Sequence, residues 1–240
     1  MSPLLTLTGV ETHIGRYHIL HGVDLTVAEG RVTMLLGRNG AGKTTTLRTI
    51  MGLWRASSGE IRFADTHIEG MGTPDIARLG LGYVPENMGV FSDLTVKENL
   101  VLAARDAALD EARLDWIFGF FPALKKFWLA RAGNLSGGQK QMLSIARALA
   151  EPRKLLLIDE PTKGLAPSIV AALIACLADL KARGATILLV EQNFLVARKI
   201  GDDVVVMDNG RAVHWGAMAE LAADESLQHK FLGLSLDSHQ

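Results

Sequence analysis

The chain has 240 residues, 48% of them apolar, which suits one globular domain or one core with a sizeable inserted lobe. Its formal net charge is −1 with acids and bases mixed along the chain, which excludes both the electrostatic footprint of a nucleic-acid binder and a Lys/Arg cluster for anionic lipid. The longest apolar runs, 32–36 (broken only by Thr33), 155–158 and 187–190, fall far short of the roughly 20 residues that a membrane span needs.

Residues 1–6 show neither the basic start nor the long apolar stretch of a signal peptide, so a cytoplasmic chain is expected. Residues 4–8 and 23–27 alternate as half-buried strands do, and 32–36 are a mostly apolar run fit for a buried strand. A glycine-rich loop and a helix over about 43–53 follow. A further strand pair is expected over 59–64 and 81–84. From about 87 to 151 the character is helical. Thr95 caps one helix, with Glu98 completing a capping box. Residues 109–129 carry Leu114, Ile117, Phe118, Phe121 and Leu124 at helical spacing, and Met142, Ile145, Ala146 and Leu149 mark another helix. Beyond them, strands 155–158, 186–190 and 204–207 alternate with helices 167–183 and 193–200, the alternation of a largely parallel α/β sheet. The single cysteine, Cys176, lies in an apolar helical stretch and is expected in the core. The tail, about 217–231, reads as helical and too short for a large regulatory domain.

Residues 37–44, Gly37-Arg38-Asn39-Gly40-Ala41-Gly42-Lys43-Thr44, fit G-x-x-x-x-G-K-[ST] between a strand and a helix, the context that pattern requires. Glycines let backbone N–H groups curl around an anion, and the helix that follows aims its positive end at the same place. Lys43 supplies a mobile charge for the β- and γ-phosphates, and the Thr44 hydroxyl is a hard oxygen for Mg²⁺. The buried run 155–158 ends in Asp159-Glu160. Such residues emerge at the carboxyl edge of the sheet, where Asp159 can hold Mg²⁺ and Glu160 can polarise an attacking water. A second glycine loop, Leu135-Ser136-Gly137-Gly138-Gln139, opens another helix. One ATP does not need two complete cradles from one chain, so the second is expected to serve another nucleotide.

Together these motifs resemble the nucleotide-binding subunit of an ABC transporter over nearly the whole chain. The resemblance implies an α/β P-loop NTPase fold: a RecA-like core, a β-rich N-terminal subdomain and a helical lobe inserted at about 87–151, in a single ABC ATPase domain spanning 1–240. It implies an ATPase coupled to transmembrane transport, with ATP and Mg²⁺ as cofactors. Gly37, Asn39, Gly40, Ala41, Gly42, Lys43, Thr44 and Thr45 would bind the nucleotide, and Tyr17 would stack on adenine. Thr44, Asp159 and Glu86 would hold Mg²⁺, while Glu160, Lys43 and Gln192 would carry catalysis. Two cassettes would stack head to tail, so that Ser136, Gly138 and Gln139 of one complete the site of the other.

Three positions depart from the general family pattern. Glu86 stands where glutamine is usual, Ala166 where aspartate is usual, and Gln192 where a histidine usually senses the γ-phosphate. Glu86 can still bind Mg²⁺ but adds a negative charge; Gln192 can donate to phosphate but cannot titrate near neutral pH. A degenerate site is one reading, opposed by the intact Lys43, Asp159, Glu160 and second glycine loop. The other is a subfamily: Pro85-Glu86, residues 164–167 and Glu191-Gln192-Asn193 are similar to one of the two ATPases of branched-chain amino-acid importers, although the Gly-Arg-Arg expected after the glutamate is absent. That resemblance implies a different ATPase as partner, two membrane permease subunits and, indirectly, a periplasmic binding protein. It implies a location on the inner face of a bacterial inner membrane. Met88, Val90 and Phe91 are candidates for permease docking, against local packing of the lobe. The alternatives in function are the ATPase of a lipopolysaccharide-type export system and a soluble, nucleic-acid-associated ABC ATPase. The first is expected to keep the switch histidine, and the second a coiled coil or two cassettes per chain.

Overall fold

A computed structural model of the chain describes residues 2–104 and 108–232. Of the expected helical lobe, 105–107 lie outside the described residues. Strands β1 (Pro3–Ile14) and β2 (Tyr17–Ala28) form a hairpin, followed by β3 (Val32–Gly37), α1 (Lys43–Ile50), β4 (Ala56–Phe63), β5 (Thr66–His67), α2 (Thr73–Arg78) and β6 (Leu81–Val84). Then come the helices α3 (Val96–Val101), α4 (Glu111–Phe120), α5 (Pro122–Lys126) and α6 (Gly137–Leu149). Strand–helix alternation resumes with β7 (Leu155–Asp159), α7 (Pro167–Ala182), β8 (Thr186–Val190), α8 (Phe194–Ile200) and β9 (Asp203–Asp208). Strand β10 (Arg211–Ala217) and helices α9 (Met218–Ala223) and α10 (Glu225–Leu232) follow.

Two sheets organise these elements. The smaller is antiparallel, in the order β2-β1-β4-β5; the larger runs β10-β9-β3-β8-β7-β6. Every neighbouring pair from β9 to β6 is parallel, and β10 closes one edge antiparallel. The apolar run of β7 is explained by burial on both faces. Leu156 and Ile158 pack with α6 and α7, whereas Leu155 and Leu157 pack towards α1 and the smaller sheet. Cys176 is buried on α7, and burial pushes its thiol up to about 12, so it packs as an inert core residue.

Several expectations need correction. Residues 59–64 and 81–84 are both strands but not a pair: β4 joins the smaller sheet beside β1, and β6 joins the larger one beside β7. Their burial shows why. In β4 only Ile61 and Phe63 are buried, whereas β6 buries Leu81, Gly82 and Val84. The stretch 109–129 is two helices. Phe121 leaves the helical region (φ −124°, ψ 63°) because Pro122 disfavours helix in the residue before it, and Pro122 then starts α5. Ile117, Phe121 and Leu124 still share one core. The tail breaks at Asp224 into α9 and α10, and the edge strand β10 and helix α2 were not anticipated.

Candidate nucleotide site

The carboxyl ends of β3, β7 and β8 converge, and each delivers part of the site. Strand β3 ends at Gly37, where a Cβ would lie 2.2 Å from the Met207 carbonyl oxygen on β9; only glycine fits. Gly42 caps α1 with φ 100° and offers no side-chain cap, which leaves first-turn N–H groups for an anion. The loop is tied to the turn between β9 and β10, and through it to β2. Gly210 N–H donates to the Ala41 carbonyl (3.0 Å), and the Gly210 carbonyl accepts from His21 N–H on β2 (2.9 Å).

Lys43 folds back across the loop, its Nζ donating to the carbonyls of Gly37 (2.9 Å) and Arg38 (3.1 Å). Burial lowers its pKa, and the Glu160 carboxylate 3.8 Å away opposes that shift. The Gln192 amide reaches from the end of β8 and donates to both Asn39 Oδ1 and Glu160 Oε1, each at 2.6 Å. Asn39, Gly40, Gly42, Lys43, Thr44 and Thr45 form one wall of a cavity of about 170 Å³; Glu86, Glu160 and Lys163 form the other.

Asp159 is fully buried at the end of β7. Thr44 Oγ1 donates to its Oδ1 (3.1 Å), while Oδ2 has no hydrogen-bond partner among the described residues. Burial pushes this carboxyl up to about 6, partly offset by the Thr44 hydroxyl. An orphaned carboxylate oxygen beside a hydroxyl, with Glu86 across the cavity, is an all-oxygen donor set that fits a hard cation such as Mg²⁺. No group of three or more His, Cys, Asp or Glu gathers as a metal cage among the described residues. The fit is therefore to an ion bound by a hydroxyl and one or two carboxylates, with phosphate and water supplying the rest.

The buried carboxylate has a cost. Its folded pKa lies above the unfolded 3.8, so on raising the pH the unfolded chain loses its proton first. The contribution of this group to the stability of the nucleotide-free chain falls between about pH 4 and 6 and is level above that. Asp159→Asn is expected to stabilise the nucleotide-free chain by about 1–2 kcal/mol at pH 7.5, and to give no gain below about pH 4. Urea melts of both chains at the two pH values check this.

The other expected residues lie apart from this cavity. Ser136 and Gln139 form a capping box at the start of α6: Gln139 N–H donates to Ser136 Oγ (3.3 Å) and the Ser136 N–H to Gln139 Oε1 (2.9 Å). A Cβ on Gly138 would sit 2.0 Å from Ile169 Cδ1 on α7, so a side chain there would displace that helix contact. Tyr17 starts β2, 60% exposed, and its hydroxyl accepts a hydrogen bond from the Arg16 guanidinium (3.2 Å). Two residues of the site were given no role from the sequence. Lys163 pairs with Glu86 and Glu160. Buried Glu191 accepts hydrogen bonds from the Thr162 hydroxyl (2.7 Å) and N–H (3.2 Å), which locks the turn after Glu160. A buried charged residue directly after an apolar strand, as Glu191 follows β8, is the signal that could have found it.

A second crevice, about 330 Å³, is lined by Met51, Leu53, Tyr83, Met88, Ala103 and Arg147 among others. Met88 (φ 65°) is held by Ser144 Oγ donating to its carbonyl at 2.6 Å. Arg147 donates to the Gly89 carbonyl and lies over the exposed Phe91 ring, 4.8 Å from its centroid. Val90 instead packs against the core.

Residues 20–163 match the family model described as ABC transporter. The chain is 39% identical over 232 residues to the high-affinity branched-chain amino acid transport ATP-binding protein BraG of Pseudomonas aeruginosa, covering 96% of this chain and 100% of that one. It is 36% identical to the probable branched-chain amino acid transport ATP-binding protein LivF of Archaeoglobus fulgidus, covering 90% and 93%. A solved ATP-binding subunit of an ABC transporter superposes with a TM-score of 0.81 at 31% identity, covering 96% of each chain. The chain belongs to the ABC transporter family, as an ATP-binding cassette with the P-loop NTPase fold. It binds ATP and is an ATPase coupled to transmembrane transport. No helix among the described residues is long and apolar enough to cross a membrane itself.

Proposed function

We propose that this chain is one of two ATPase subunits of an importer for branched-chain amino acids or a related polar solute. The observation that carries the reading is end-to-end similarity to BraG, together with a cavity in which the Lys43 and Glu160 side chains meet the phosphate loop and Thr44 links it to the buried Asp159. In this reading 1–240 is a single ABC ATPase domain with its helical lobe at about 87–151. The loop N–H groups of residues 37–45 and the Lys43 ammonium bind the β- and γ-phosphates. Tyr17 stacks on adenine. Thr44 and Asp159, with Glu86, would hold Mg²⁺, which when bound neutralises phosphate charge and fixes the nucleotide. Glu160 accepts a hydrogen bond from the attacking water and draws its proton as the water oxygen bonds to the γ-phosphorus and the bond to the β–γ bridging oxygen breaks, with ADP as the leaving group. Gln192 keeps Glu160 aimed through the 2.6 Å bond and offers its amide to the γ-phosphate.

Ser136, Gly138 and Gln139 then face the nucleotide of a second cassette, stacked head to tail. The departures at Glu86, Ala166 and Gln192 support a partner that is a different ATPase rather than a copy. Two permease subunits would seat a short helix in the crevice that contains Met88, and a periplasmic binding protein would deliver the solute. The chain would work on the inner face of a bacterial inner membrane. Co-purification from the native operon, followed by reconstitution in proteoliposomes, tests the reading. ATP-driven uptake of leucine, isoleucine or valine is expected; recovery with permeases that move none of these and no related solute overturns it.

A further inference from the structure

We propose that Lys163 is a positioning residue that sets the charge of the γ-phosphate end of the cavity by holding Glu86 and Glu160 together. Its Nζ lies 2.7 Å from Glu86 Oε1 and 3.3 Å from Glu160 Oε2. The other oxygen of Glu160 faces Lys43 Nζ at 3.8 Å, so this carboxylate sits between two ammonium groups, one to each oxygen.

The backbone puts Lys163 there. Glu160 adopts a left-handed conformation (φ 46°), unusual for a residue with a side chain, and its N–H is fixed to the Val190 carbonyl at 3.0 Å. The chain then turns back on itself, closed by Lys163 N–H to the Glu160 carbonyl (3.3 Å) and Leu165 N–H to the Thr162 carbonyl (3.2 Å). The Glu191 carboxylate clamps Thr162 from β8. The turn is anchored while the Lys163 side chain stays 57% exposed, free to cover the two acids.

The charges explain what this does. Glu86 and Glu160 face the place where a polyphosphate binds, and Asp159 lies behind them. With glutamine at position 86, as in the general family pattern, there would be one carboxylate fewer. Here Glu86 adds a negative charge and Lys163 supplies the opposite one at ion-pair distance. Removing the ammonium would leave two carboxylates to repel the nucleotide.

The inference rests on the nucleotide-site reading given above, so Glu160→Gln serves as its control. The full chain is titrated calorimetrically with Mg–ATP, and steady-state turnover is measured with the partner ATPase present. Lys163→Met is expected to weaken Mg–ATP binding and raise KM by about fivefold to tenfold, with kcat changing less than about threefold. Lys163→Arg, which keeps the charge, is expected to stay within about twofold of the parent. Combining Lys163→Met with Glu86→Gln, which keeps an oxygen donor at position 86, should return the affinity to within about twofold. Parental affinity in Lys163→Met overturns the proposal. So does a double variant as weak as Lys163→Met alone, since Lys163 would then act on the phosphate directly. Melting curves of each variant separate these results from misfolding. Normal hydrolysis by Glu160→Gln would instead remove the site reading on which the inference rests.

Discussion

Lys43→Ala is expected to bind Mg–ATP at least about tenfold more weakly and to turn it over at less than about one-hundredth of the parental rate. The side chain is almost wholly buried, 4% exposed, and its ammonium already spans the loop by bonds to the Gly37 and Arg38 carbonyls. In the proposed reading it has two tasks: it shapes the loop through those bonds and would offer a fixed positive charge to the β- and γ-phosphates. Alanine removes both, and no water can supply a charge in so enclosed a place. The core is untouched, since Lys43 lies at the start of α1 outside both apolar clusters. Phosphate release and a calorimetric titration measure the two effects. Unchanged hydrolysis would sink the assignment of the loop.

Glu160→Gln is expected to separate binding from chemistry. The amide is nearly isosteric and its oxygen can still accept the Gln192 hydrogen bond, so the geometry around Asn39 survives. It loses the charge that faces Lys43 and Lys163 and, decisive for turnover, basicity: an amide cannot draw a proton from the attacking water. Turnover should fall by about a hundredfold or more while Mg–ATP affinity stays within about threefold of the parent. The ATP-bound pair of cassettes should then persist, seen as an ATP-dependent shift in size-exclusion elution with the partner ATPase. Normal turnover in this variant would show that another group polarises the water.

The parts of the site that rest on short-range pattern were legible in the sequence. Residues 37–44 carry their own flanking strand and helix, the acids 159 and 160 close an apolar strand, and Ser136 with Gln139 makes a cap that needs only neighbouring residues. The parts that depend on strand order were not. Gln192 reaches Asn39 and Glu160 because β8 lies between β3 and β7, an arrangement that no local periodicity encodes. The ion pair of Lys163 with Glu86 has the same origin, since β6 and β7 are neighbours across the whole helical segment. The separation of β4 from β6 was missed because a four- to eight-residue strand reads alike in either sheet; only its one-sided or two-sided burial distinguishes them. The break at Phe121-Pro122 was visible in principle, since the proline rule is local, but apolar spacing continues through it and masks the kink.

Helix α6 is best seen as a rigid rod with two different terminals. Its 13 residues span about 20 Å. The N-terminal end carries the capping turn of Ser136 and Gln139; towards the other end Ser144 and Arg147 grip the carbonyls of Met88 and Gly89, next to Glu86 on the cavity wall. A rod held at one end transmits rotation to the other with little loss. A shift of residues 86–89, whether pulled by a nucleotide at Glu86 or pushed by a helix in the crevice, would bear on this helix and through it on the Ser136 end, where Gly138 packs against Ile169. One chain's occupancy would thereby be broadcast to its neighbour as an angle, without a new bond having to form between the two ends.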